Sequence, residues 1–179
     1  MKKSIVGLVL CICLIAVGAF AFNAIKTPPT LWGKTQYGMT QTEVLKVLPN
    51  AKPIKNGSTF SDGSIERLRI EDVSIVGRVF VASFLFEGEK LNSVSFKPAV
   101  SPHSTDGRAL LDSLIVSLRA KYGPETYKEE RDDHSRKSWD FRWKSKGTDI
   151  TMYVLQIGEN FPIFRLGYQV NSPEDEDVL

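Results

Sequence analysis

One feature limits the fold of this chain more than its composition does: its pattern reads twice as a helix followed by three strands. The first helix starts at Thr40-Gln41-Thr42-Glu43, which is a capping box. The Thr40 hydroxyl accepts from the backbone N–H of Glu43, and the Glu43 carboxylate reaches back to the N–H of Thr40. Met39 and Val44 hold the two positions of a hydrophobic staple, and Gly38 lets the chain turn in. Val44, Leu45 and Leu48 form one apolar face before Pro49-Asn50 stops the helix. A phosphate loop is excluded, because the glycine-rich nest and its Lys-Ser/Thr ending are missing. Strand patterns follow: Ile65–Ile70 alternates loosely, Arg78–Phe86 is apolar on both faces, and Leu91–Phe96 alternates again. Glu87-Gly88-Glu89-Lys90 joins the last two as a hairpin, with glycine where positive φ is needed.

The second half repeats the order. Leu110, Leu111, Leu114, Ile115, Leu118 and Tyr122 recur at helical spacing and predict a helix over 107–122. Ser104, Thr105 or Asp106 is its expected cap, and Gly123-Pro124 its stop. The charge-dense "YKEERDDHSRK" (127–137) reads as a solvated loop. Trp139–Trp143, Ile150–Ile157 and Ile163–Tyr168 then read as strands, with a turn at Lys146-Gly147. Each helix has one apolar stripe to bury, and one sheet face accommodates both stripes. The expected fold is α+β: one domain over residues 31–170, an antiparallel sheet of about six strands, and two helices on one face.

The flanks are of a different kind. Lys2 and Lys3 precede a nearly all-apolar run, Ser4–Phe22, that contains Ala19-Phe20-Ala21, a small-x-small cleavage site. That layout is a secretory signal peptide over 1–21, and the expected product is periplasmic. The rival reading is an uncleaved anchor, since the run is about long enough to span a bilayer (~20 residues). Membrane contact is expected only in that case. Cys11 and Cys13 both lie inside the run and are preceded by Leu10 and Ile12, not by the small residue a lipidation site needs. The cleaved chain has no cysteine, so its stability rests on its core. Residues 22–30, with Pro28-Pro29, read as an extended tether, and 171–179 as an acidic, disordered tail. The sequence has 23 basic and 21 acidic residues, and loss of Lys2 and Lys3 balances them. A nucleic-acid binder normally carries a basic excess, so no nucleic-acid partner is expected.

Catalysis needs a nucleophile with a base, a metal cluster or paired acids. Neither His103 nor His134 has a second His or Cys at ligand spacing, and no G-x-S-x-G or H-E-x-x-H occurs. Asp132, Asp133 and His134 are consecutive, and consecutive side chains do not converge on one metal. Asp62-Gly63-Ser64 with Glu66 brings carboxylates near a turn, but Asp-Gly is ordinary turn chemistry. No cofactor, metal or catalytic residue is assigned. Trp139, Phe141 and Trp143 share one face of their strand by alternation, and Asp140, Arg142 and Lys144 share the other. The rings are read as core. Asp140, Arg142 and Lys144 are then the candidate partner contacts, on an open sheet face.

"YGMTQTEV" (37–44) resembles the helix start of the small outer-membrane assembly lipoproteins of the BamE/SmpA type. The doubled helix-and-strands order resembles the β-lactamase inhibitor protein fold, which is similar to two such modules in tandem. The assembly proteins are lipidated at a cysteine absent here, and the inhibitor's disulfides cannot form in a cysteine-free mature chain. The resemblance implies an envelope binding module and assigns no binding residue. The expected function is therefore non-catalytic binding of another envelope or exported protein, as an assembly accessory or an inhibitor or immunity-type partner. The alternative is a periplasmic hydrolase or small-ligand binder using carboxylates from distant segments.

Overall fold

A computed structural model describes residues 27–171. The expected signal peptide and nearly all of the acidic tail lie outside them. Of the tether, residues 27–30 are described, and they are docked on the domain. The Pro29 carbonyl accepts from the Tyr37 N–H at 3.0 Å, and the Thr30 carbonyl from the Thr148 hydroxyl at 2.9 Å.

The capping box forms as its spacing requires. The Thr40 N–H donates to Glu43 Oε2 at 2.7 Å, and the Glu43 N–H donates to Thr40 Oγ1 at 3.3 Å. Helix α1 (Gln41–Val47) follows and buries Val44. Four strands come next: β1 (Lys52–Pro53), β2 (Ile65–Ile75), β3 (Arg78–Glu87) and β4 (Lys90–Pro98). Helix α2 (Ser104–Tyr122) opens the second half, followed by β5 (Tyr127–Asp133), β6 (Arg136–Ser145), β7 (Thr148–Ile157) and β8 (Asn160–Val170).

Eight strands form one antiparallel sheet in the order β1-β2-β3-β4-β8-β7-β6-β5, which corrects the expected six. Both additional strands are edge strands that periodicity cannot register. β1 has two residues and contains a proline, tolerated at an edge where no N–H is needed. β5 is YKEERDD and buries no side chain. The stretch 127–137 is therefore no loop but a hairpin with β6, turning at His134-Ser135. The repeated unit is a helix and four strands. The cap of α2 also differs from expectation. His103 is the N-cap and makes no side-chain capping bond, while the Ser104 N–H donates to the Glu159 carbonyl at 2.6 Å. The helix start is thus tied through its backbone to the β7–β8 turn.

Cross-strand registers run through the whole sheet. On one face, Leu68, Phe84, Val94, Tyr168, Ile150 and Trp143 stand in a row. Beside it run Ile70, Ala82, Phe96, Leu166, Met152 and Phe141. All are buried in one cluster with Val44 of α1 and Leu110, Leu111, Leu114 and Leu118 of α2. Both helices therefore cover the same face. Gly107 lets α2 approach closely, since a Cβ there would lie 2.2 Å from the Phe161 ring.

Candidate functional site

The opposite face of the sheet carries no helix. Its central row, by register, is Arg69, Ser83, Ser95, Gly167, Thr151, Arg142 and Tyr127. Small side chains occupy the middle and charged ones the flanks. A Cβ on Gly167 would approach Thr151 Oγ1 to 2.8 Å, so even the smallest added side chain would disturb the row there.

One half of this face is deepened into a pocket of about 460 Å³. A bulge in β2 makes its floor. Register slips between Glu66 and Leu68, so Glu66 and Arg69 both emerge on the open face. Their side chains then meet: Arg69 Nε donates to Glu66 Oε1 at 2.7 Å and Nη2 to Oε2 at 2.7 Å. The Ser83 hydroxyl adds a third bond to Glu66 Oε1 at 2.6 Å. The Glu66 side chain is only 3% exposed. Burial alone raises its pKa, but the bonds from Arg69 and Ser83, helped by the charges of Arg69 and then Lys97, outweigh that and leave it below the ordinary glutamate value. The bond to Glu66 likewise raises the pKa of Arg69 and keeps it cationic.

The wall of the pocket is the β1–β2 connection. At Gly57 its backbone runs against that of Glu66, where a Cβ would come within 1.7 Å of the Glu66 carbonyl oxygen. The Glu66 N–H donates to the Ser58 carbonyl at 3.0 Å. Asp62 closes the turn as an Asx motif, accepting from the Ser64 N–H at 2.9 Å and the Ser64 hydroxyl at 2.6 Å. The Ser64 hydroxyl bond lowers the Asp62 pKa. Held this way, the connection sets the Phe60 ring 5.4 Å from the Arg165 guanidinium of β8. Ser58, Thr59, Ser61 and Ser95 line the space, with Lys97 among them.

The expected contacts fall where alternation placed them. Trp139, Phe141 and Trp143 are buried, and the Trp143 indole N–H donates to the Gly123 carbonyl at 3.2 Å. Asp140, Arg142 and Lys144 are on the open face, where Arg142 pairs with Asp140 at 3.1 Å and lies 4.7 Å over the Tyr127 ring. They are not part of the pocket, which sits on the other half of the face. Asp62 and Glu66 serve different partners and make no acid pair. Asp132, Asp133 and His134 end β5 and its turn, exposed, with Asp132 engaged by Lys137 at 2.8 Å. Among the described residues no group of three or more His, Cys, Asp or Glu is placed to hold a metal ion, and no helix is long and apolar enough to cross a membrane.

Sequence reasoning missed Arg69, Lys97 and Arg165. They come from β2, β4 and β8, and no local pattern links them. The one available signal was the out-of-phase Glu66-Arg67-Leu68-Arg69, which breaks strict alternation where the bulge lies. No protein-family model, curated protein or solved structure matches the chain.

Proposed function

We propose that this protein is an exported, non-catalytic binding module of the cell envelope that holds a protein partner on the open face of its sheet. One observation carries the reading: a broad face that neither helix covers, with small residues along its middle row and fixed charges on its flanks. Such a face admits close approach of another backbone at Ser95, Gly167 and Thr151, while the flanking charges steer encounter and register. The assembly and inhibitor-type roles implied by the sequence resemblance are both of this kind. Export rests on the N-terminal pattern, and N-terminal sequencing of protein recovered from cells tests it.

The test of the binding reading is pull-down from envelope extract with the tagged protein, followed by mass spectrometry, using two variants. Arg142→Glu on the open face should weaken partner capture severalfold while leaving thermal stability almost unchanged. Val116→Glu, on the exposed side of α2, should capture as well as wild type. Equal capture by both variants would remove the sheet face from the proposal.

A second reading, a small-ligand binder or hydrolase, is favoured by the pocket. Hydrolysis by paired carboxylates calls for one acid held protonated near neutral pH. Among the described residues, each carboxylate with a resolved shift (Glu43, Asp62, Glu66, Glu125 and Glu129) is shifted down instead.

A further inference from the structure

The pocket holds more positive charge than its own residues neutralise. Arg69 is spent on Glu66, and its Nη1 lies 3.4 Å from Glu71. Lys97 and Arg165 differ, because neither makes an ion pair among the described residues. The contact of Arg165 with Phe60 is to the ring face, which leaves the N–H edges of the guanidinium available. We infer that this pocket is a carboxylate-binding site, and that its ligand is an acidic side chain of the bound partner. The inference deepens the binding reading and rests on it.

Three features select a carboxylate on a short apolar stem. The guanidinium edge of Arg165 presents parallel N–H groups that match two carboxylate oxygens, and the Lys97 ammonium adds a point charge beside it. Hydroxyls of Ser58, Thr59, Ser61 and Ser95 can donate further bonds to the same oxygens. The remaining walls, Phe60, Pro162 and Ile163, are apolar and suit the methylenes behind a glutamate carboxylate. Inorganic phosphate has no stem to cover them. Glu66 does not oppose the ligand strongly, because Arg69 and Ser83 already neutralise and bond it. It fixes the floor.

The test is a titration of the isotope-labelled full chain with glutarate, with the peptide acetyl-Gly-Glu-Gly-amide and with inorganic phosphate, followed by amide NMR. Glutarate and the peptide should give saturable shifts centred on Ser83, Ser95 and Arg165, with a Kd on the order of 1 mM. The shifts should weaken as salt is added. Lys97→Gln and Arg165→Gln should each weaken binding about tenfold without disturbing amides elsewhere. Lys97 and Arg165 are both exposed, so each substitution reads binding rather than core packing, and either one alone decides. Absence of saturable shifts, insensitivity to Lys97→Gln, or tighter binding of phosphate than of glutarate would overturn the carboxylate site. Binding of glutarate with no binding of the peptide would overturn the polypeptide source. The two proposals fail separately: glutarate binding beside partner capture that ignores Arg142→Glu refutes the binding face, and the reverse result refutes the pocket.

Discussion

At the scale of single residues, Glu125 lies just past the Gly123-Pro124 stop of α2. Arg119 grips it bidentately, Nε to Oε2 at 2.8 Å and Nη2 to Oε1 at 2.6 Å. That hydrogen bonding pulls the Glu125 pKa down to about 2 from an ordinary 4.5. A carboxylate depressed in the folded state binds fewer protons there than in the unfolded chain, so it contributes stability above the unfolded value. The contribution is complete above about pH 4.5 and fades as pH falls toward 2. Glu125→Gln should therefore lower the urea midpoint at pH 7 and cost progressively less between pH 4.5 and 2. Parallel curves for the two proteins across that range would show that the pair contributes nothing. Glu66 is a different case. Its partners come from the same strand and its neighbour, brought together by a bulge, and no i,i+3 rule for strands would have paired it with Arg69.

At the scale of elements, β6 and β5 show why alternation succeeded on one strand and failed on the next. β6 alternates large rings with charges, and the rings enter the core: Trp139 stacks on Phe161 with centroids 6.5 Å apart, and Arg108 lies over it at 5.1 Å. Trp139→Ala should cost about 3–5 kcal/mol, read from urea unfolding at pH 7. A variant of near wild-type stability would mean that the ring contributes little to the core. β5 has no buried apolar member to reveal its period. It is an edge, and its charges serve that position: Lys128 reaches over the Phe141 ring at 5.9 Å and pairs with Glu130 at 3.1 Å. Glu129 and Arg131 pair at 2.8 Å on the open-face side. An unpaired strand edge invites a second strand unless charge discourages it. Replacing Glu129, Arg131 and Asp133 together by valine should make the protein self-associate, visible by light scattering at concentrations where wild type stays dispersed. Unchanged scattering would mean that another feature protects the edge.

At the scale of the whole molecule, the two halves meet through their last strands, β4 and β8, so the sheet order reads inward from both edges. The core crosses that seam without a break. Trp32 contacts Phe96 edge-on at 5.1 Å, and Phe96 contacts Tyr168 at 5.8 Å. Tyr168 receives a long contact from the Tyr122 hydroxyl at 3.5 Å, and its burial, with that neighbour, raises its pKa. A core shared in this way should unfold as one unit. Far-UV circular dichroism and tryptophan fluorescence should give superimposable urea transitions. Two resolved steps would indicate halves that fold independently.

The sequence by itself determined the parts whose energetics are local. The capping box, the hairpin turn at Gly88, the stripe of α2 and the alternation of Trp139, Phe141 and Trp143 each depend on residues within a few positions of one another. Burial of an apolar stripe leaves the helices one face to choose. Tertiary structure decided the remainder. The edge strands β1 and β5 exist because a neighbouring strand supplies hydrogen-bond partners, and hydrogen bonding between backbones leaves no mark on side-chain periodicity. The pocket draws Arg69, Lys97 and Arg165 from three strands through registers set by one bulge and by the β4–β8 seam. Its geometry depends on long-range pairing, and no local spacing encodes which strands become neighbours.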